Sequence, residues 1–289
     1  MHSDDFVCYL CGARSCIQRK GHARDAEGLV PLECTECGLV ALSSLCHIGE
    51  GFYENSHMHD SVPCDPALEL LQGREDSVRR FSQFKADVTR KRLLDVGCGA
   101  GGFLLEARSV AASVTGVEPE LALHDHFAAK GLRCFAAVSD VPHGELFDVI
   151  TMFHVLEHLH DPVSMLRDLR SRLDGPTAQL VVEVPSASDA LLTLYDNDAF
   201  SRFTYWSCHL YLFTPDTLQR TAERAGLRLV RMQQYQRYPL ANHLHWLAQG
   251  KPGGHHAWAH LSNPELDAAY AATLAANGLC DTIIGTFSI

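Results

Sequence analysis

The segment Arg92-Leu-Leu-Asp-Val96 runs directly into Gly97-Cys-Gly99-Ala-Gly101-Gly102, and Phe103 then starts a helical pattern. A short apolar strand that ends on a glycine turn and feeds a helix opens a strand–helix–strand unit. The alternation then repeats along the chain. Ser113 to Glu118, Leu132 to Val138, Phe147 to Phe153 and Ala178 to Val184 are short strand-like runs, while Leu121 to Lys130 and Pro162 to Leu173 carry helical spacing. Such alternation predicts an α/β domain built on a doubly wound parallel sheet. These sheets bind ligands outside the carboxyl ends of their strands, so strand-ending residues are the candidates for a site.

The 289 residues are enough for one large domain with a small appendage, and the cysteines show where the appendage lies. Seven of the eleven fall in residues 1–64. No window reaches the roughly 18–20 apolar residues of a membrane helix. The acidic N-terminus has no signal-peptide pattern, so the expected location is cytoplasmic, where thiols stay reduced and clustered cysteines hold metal more often than disulfides. Cys8-x-x-Cys11-Gly12 and Cys34-x-x-Cys37-Gly38, with 22 residues between Cys11 and Cys34, suit two tight turns that aim four thiolates at one Zn²⁺. A redox Cys-x-x-Cys needs a thioredoxin-like context, which is missing. Cys16, Cys46 and His47 read as ordinary loop residues. The organisation expected is a zinc-binding head at 1–64, a linker helix at 65–92 and a main domain at 93–289. Between Gly73 and Arg92 seven Lys/Arg face three Asp/Glu, an excess that can grip an anionic substrate such as a phosphate but reads first as the solvated face of the linker helix.

The glycine turn satisfies G-x-G-x-x-G, with Glu118 sixteen residues after Gly102, and alone it could mark a dinucleotide site. Asp95 argues otherwise, because an anion at that strand end repels a diphosphate and attracts a cationic amino-acid tail. An adenosine ribose on Glu118 with an ammonium group towards Asp95 describes S-adenosylmethionine. Taken with Val117-Glu-Pro119, Phe147-Asp-Val-Ile150 and His154-Val-Leu-Glu-His-Leu-His-Asp-Pro162, residues 90–235 resemble the class I S-adenosylmethionine-dependent methyltransferases. The resemblance implies a Rossmann-like sheet of seven strands with the last reversed, the sixth and seventh supplied by Leu227 to Gln233 and Asp281 to Phe287. It assigns Asp95, Gly97, Gly99 and Gly101 to the methionine part of the cofactor, Glu118 to the ribose and Asp140 to the adenine. The cysteine head and His209-Leu-Tyr-Leu-Phe-Thr214 are similar to bacterial methyltransferases acting on sugars, nucleotide sugars and natural-product intermediates, by O- or C-methylation.

A hydroxyl or carbon acceptor must lose a proton, which calls for a positioned base, usually histidine. His209 lies in an aromatic segment after the fifth strand and is the candidate base, with Tyr211 and His154 next. Its alternative is a buried histidine held by packing. His154 and His158 flank the turn after the fourth strand; the resemblance gives that turn a packing role, with His154 lining the cofactor edge, rather than a metal site. Residues 235–278 read as a glycine- and histidine-rich loop inserted between the last two strands. The net charge of −11, and a head with four Lys/Arg against nine Asp/Glu, argue against nucleic acid and for a small-molecule acceptor. The alternatives are a zinc-headed RNA base methyltransferase and an inactive methyltransferase fold used for binding; the intact Asp95, glycine turn and Glu118 speak against the latter.

Overall fold

The computed structural model describes residues 6–49, 51–55 and 64–289, so the acidic N-terminus lies outside the described residues. The head carries β1 (Cys16–Gln18), β2 (Pro31–Cys34) and β3 (Val40–Leu42). Two helices, α1 (Pro66–Gln72) and α2 (Arg74–Val88), replace the single linker helix expected, with Gly73 between them. The main domain begins with β4 (Arg92–Val96), α3 (Gly102–Ala107), β5 (Ser113–Val117), α4 (His124–Lys130) and β6 (Arg133–Phe135). It continues with β7 (Val149–Phe153), α5 (Pro162–Arg170), β8 (Gln179–Pro185), α6 (Ala190–Thr193), α7 (Asp198–Thr204) and β9 (Tyr211–Leu212). The last elements are α8 (Pro215–Arg224), β10 (Arg228–Tyr235), α9 (Leu240–Gln249), α10 (Gly254–Ala257), α11 (Pro264–Ala276) and β11 (Thr282–Ser288).

The large sheet has the order β10-β11-β8-β7-β4-β5-β6. β4 runs parallel to β5 and β7, and β7 parallel to β8, whereas β11 is antiparallel to both its neighbours. The seven strands and the reversed last strand match the expectation. The central strands are apolar on both faces because helices cover both sides: Leu93, Leu94, Ile150, Met152, Leu180 and Val182 are all fully buried. Strand order switches at β4, so the carboxyl ends of β4, β5 and β7 open a crevice there.

The head is not a free appendage. β3 pairs antiparallel with β9, Val40 facing Leu212 and Ala41 facing Tyr211, so the main domain supplies the fourth strand of the head's sheet. Arg224 donates to the carbonyls of Tyr9 and Leu10, and the Tyr9 hydroxyl bonds Asp161 at the start of α5.

Two expectations are corrected. Residues 235–278 are largely helical rather than a loop: Asn263 caps α11 by accepting from the Leu266 amide, and Pro264 fits the first helical turn. The basic face of α2 is not simply solvated. Arg79 and Arg80, each with a side chain 15% exposed, turn inward onto the fully buried Glu183 of β8. Among the described residues no helix is long and apolar enough to cross a membrane.

Candidate functional site

The glycine turn is built by the end of β5. The amides of Gly97 and Cys98 both donate to the Val117 carbonyl, at 2.7 and 3.1 Å, folding the turn back over β5. Gly97 has φ +69°, and a Cβ there would lie 2.2 Å from Val155 Cγ2, so no side chain fits. Glu118, the residue after β5, accepts from the Gly99 amide at 2.9 Å and the Glu120 amide at 3.0 Å. Its burial raises its pKa and these amides oppose the rise. The turn and Glu118 thus form two adjoining walls of a cavity of about 450 Å³. Tyr53, Leu70, Asp76, Arg80, His154 and His158 also line it, with Arg80 the single Lys or Arg on the wall among the described residues.

Arg80 is held from below. Its Nε and Nη2 donate to Glu183 Oε1 at 3.1 and 2.7 Å, and its guanidinium lies over the Phe153 ring. Arg79 makes two further bonds to Glu183, and Asp76 bonds Arg79 and Arg237. Three guanidinium groups therefore face two carboxylates. Sequence reading missed this cluster, although a glutamate inside the apolar run Leu180-Val-Val-Glu-Val184 was its signal.

The predicted site residues divide into two groups. Gly97, Gly99, Glu118 and His154 meet at the cavity. His154 takes φ +56° at the end of β7, with Nδ1 3.2 Å from Glu157 and Nε2 3.3 Å from Glu183. Burial lowers its pKa, but the two carboxylates outweigh that and raise it. Gly101 starts α3 beside the turn. Asp95 stands inside the sheet, off the wall, with its carboxylate accepting from Thr151 Oγ1 at 2.7 Å. Asp140 is exposed and accepts from the Ala137 amide, away from the cavity. Tyr211 is buried in β9, its hydroxyl donating to the His160 carbonyl, which makes it a packing residue. His209 is also off the wall. Its ring lies 4.9 Å behind that of His158, and burial, with the neighbouring His158, lowers its pKa to about 3.

Asp95 gives a pH dependence. Burial pushes its carboxyl up to about 7, against the Thr151 bond. The folded state then holds a proton that the unfolded state has lost, between roughly pH 4 and 7, so stability falls as pH rises across that window and stays low above it. The expected loss is on the order of 4 kcal/mol, from about 1.36 kcal/mol per pKa unit. Asp95→Asn keeps an acceptor for Thr151 and should flatten this slope. Urea midpoints from pH 4 to 8 check it, and parallel profiles for the two proteins would contradict the assignment.

In the head, Cys8 Sγ lies 3.5 Å from Cys37 Sγ, Cys11 Sγ 3.5 Å from Cys34 Sγ, and all four sulfurs fall within 4.8 Å of one another. A tetrahedral zinc site with bonds of about 2.3 Å has sulfur–sulfur edges of about 3.8 Å, so the four thiols fit one ion. Both turns repeat one pattern. The amides of Gly12 and Gly38 donate to the carbonyls of Cys8 and Cys34, each at 2.9 Å, and both glycines have positive φ.

A model of the methyltransferase domain matches residues 69–232, more than half of the chain. The chain belongs to the methyltransferase domain family. The resemblance to class I S-adenosylmethionine-dependent methyltransferases is borne out, and the activity of the protein is methyl transfer. The methyltransferase is 29% identical over 213 residues to a ubiquinone biosynthesis O-methyltransferase of Methylococcus capsulatus, covering 69% of this chain and 89% of the relative. With its counterpart from Actinobacillus pleuropneumoniae it shares 38% identity over 97 residues, which is 29% of this chain and 41% of the relative. A tRNA U34 carboxymethyltransferase of Campylobacter hominis is 28% identical over 170 residues, covering 55% of this chain and 59% of that one. An S-adenosylmethionine-dependent methyltransferase from Archaeoglobus fulgidus shares the fold at TM-score 0.50 and 18% identity, covering 75% of this chain and 94% of its own.

Proposed function

We propose that the methyltransferase binds S-adenosylmethionine in the cavity between the glycine turn and Glu118 and passes its methyl group to a small-molecule acceptor. The observation that carries the reading is the charge pattern of the wall. Glu118 stands where two ribose hydroxyls can donate to it, and Arg80 is the lone Lys or Arg there among the described residues. The wall also carries Glu69, Asp76, Glu118 and Glu120, and Arg80 is the one group on it among the described residues that offers an anion a permanent positive charge. The cofactor's α-carboxylate is such an anion. The cofactor supplies an electrophilic methyl group, and this chain supplies position. The side-chain-free surface of the turn and the Glu118 carboxylate hold the adenosyl end, and Arg80 holds the amino-acid end. Tyr53 and His158 form the acceptor side, with His209 and Trp206 packed behind His158. Holding the acceptor in line with the methyl group lowers the barrier without a covalent intermediate.

The head serves as a structural unit holding one Zn²⁺ through Cys8, Cys11, Cys34 and Cys37. A site closed by four thiolates leaves no position for water or substrate, so it supplies folding energy and no Lewis acid. The acidity of the head supports a small acceptor such as a sugar, a nucleotide sugar or a natural-product intermediate, methylated on oxygen or carbon. The tRNA-modifying relative makes RNA the reading to test against it.

Incubation with methyl-labelled S-adenosylmethionine and cell extract is the experiment. Label is expected in a small, ribonuclease-resistant product. Label in RNA would replace the acceptor assignment, and no label in any small product would contradict it.

A further inference from the structure

From His158 on the cavity wall inward runs a group of side chains whose bonding goes beyond what positioning an acceptor requires. Glu157 and His158 belong to a 3-10 turn, Leu156–His158, after β7, and His209 precedes β9. One potential ligand atom from each lies within 4.8 Å of the other two. Three details of bonding set this group apart from ordinary packing.

Glu157 is fully buried, and its Oε1 faces His154 Nδ1. Its Oε2 is cut off from solvent and has no hydrogen-bond partner among the described residues. A buried carboxylate oxygen without a partner is costly unless a cation meets it. His158 Nδ1 bonds the Cys208 carbonyl at 2.8 Å, which places the proton on Nδ1 and leaves the Nε2 lone pair free. That outward bond to a backbone carbonyl is the arrangement that orients metal-bound histidines. Neither ring nitrogen of His209 makes a hydrogen bond among the described residues. Both rings are held by aromatic contacts: Trp206 packs edge-on against His209 at 5.5 Å and His158 at 6.5 Å, and Tyr53 meets His158 at 5.8 Å.

We propose that Glu157, His158 and His209 form a second metal site, for a divalent first-row transition ion. Two imidazoles and one carboxylate favour zinc, iron(II), cobalt(II) or manganese(II) over magnesium and calcium, which prefer all-oxygen sites. Three protein ligands leave a coordination position open, unlike the closed four-thiolate site of the head. His158 reaches the cavity wall, so an ion held on it stands beside the acceptor side. Resting on the methyl-transfer reading, this favours an oxygen acid as acceptor, because a hydroxyl that binds a dication loses its proton more readily. The proton passes to water and the oxygen forms a bond to the methyl carbon. The carbon–sulfur bond breaks with its electron pair left on sulfur.

Metal content after equilibrium dialysis against micromolar Zn²⁺ tests the site without any acceptor. Wild type should hold two zinc ions per chain. His158→Ala and His209→Ala should each hold one, while Cys34→Ser should lose the head ion and keep the other. A single ion in wild type with all four head cysteines intact overturns the proposal. So does a second ion that persists in both histidine variants, since surface histidines would then hold it. Should the histidine variants fail to fold, Co²⁺-loaded wild type decides: two sites give intense thiolate charge-transfer bands plus a second set of ligand-field bands without them. A spectrum of thiolate-bound cobalt alone overturns the site. None of these readouts depends on cofactor binding, so failure here is distinct from failure of the methyl-transfer reading.

Discussion

Cys34→Ser is expected to have the largest effect of any single change in the chain. It removes one of the four thiolates and should lower zinc content by one ion per chain. Structural zinc contributes about 10–16 kcal/mol of apparent binding free energy at neutral pH, and in a small unit that energy holds the fold. The damage should spread beyond the head, because β3 of the head pairs with β9 and His47 bonds the Ser207 carbonyl. The segment from Tyr205 to Phe213, which carries His209, is thereby held on the head. Limited proteolysis should cut the variant both in residues 6–49 and around residue 207. Unchanged zinc content together with a wild-type cleavage pattern would contradict the account of the head.

Glu183→Gln should be the next most damaging. The glutamine keeps the shape of the side chain but leaves Arg79 and Arg80 without the carboxylate that both grip. Removing one partner from a buried ion group typically costs about 3–5 kcal/mol. For a domain of this size that corresponds to a fall in Tm on the order of 10 °C. Lys20→Ala is the control. Lys20 pairs with Asp196 at 3.3 Å in the open, with side chains 45% and 72% exposed, and such pairs contribute about 0–1 kcal/mol. If thermal unfolding gave the two variants equal shifts, the buried cluster would not be the structural centre described here.

How much of this was visible in the sequence depends on the kind of interaction. The sheet was legible because its strands are buried on both faces and read as continuous apolar runs, such as Leu180 to Val184, and because β4 meets the glycine turn without a gap. Gly97 and Glu118 were legible for the same reason, since the strand end fixes where both must stand. Asp95 was found by position at the strand end, but its bond to Thr151 inside the sheet could not be read from the sequence.

The misses share a cause. Arg80 lies on α2, before the sheet begins, and only tertiary packing brings it to Glu183, 103 residues later. A basic helix read by itself looks solvated. His209 was found as an aromatic-flanked histidine, but the one-dimensional pattern could not show that His158 stands between it and the cavity. In the 235–278 segment, Gly250 to Gly254 outweighed the helical stretches on either side. Gly250 and Gly253 form the short link between α9 and α10, Gly254 opens α10, and the Asn263-Pro264 start of α11 was the overlooked helix signal.

The central claim is that the cavity between the glycine turn and Glu118 holds S-adenosylmethionine, and calorimetric titration with that cofactor tests it most directly. Wild type should bind one molecule per chain. Glu118→Ala should weaken binding by about 1.5–3 kcal/mol, the range for a hydrogen bond to a charged group, which is roughly a 10- to 150-fold rise in Kd. Affinity equal to wild type in Glu118→Ala, or no binding by wild type at all, would contradict the account.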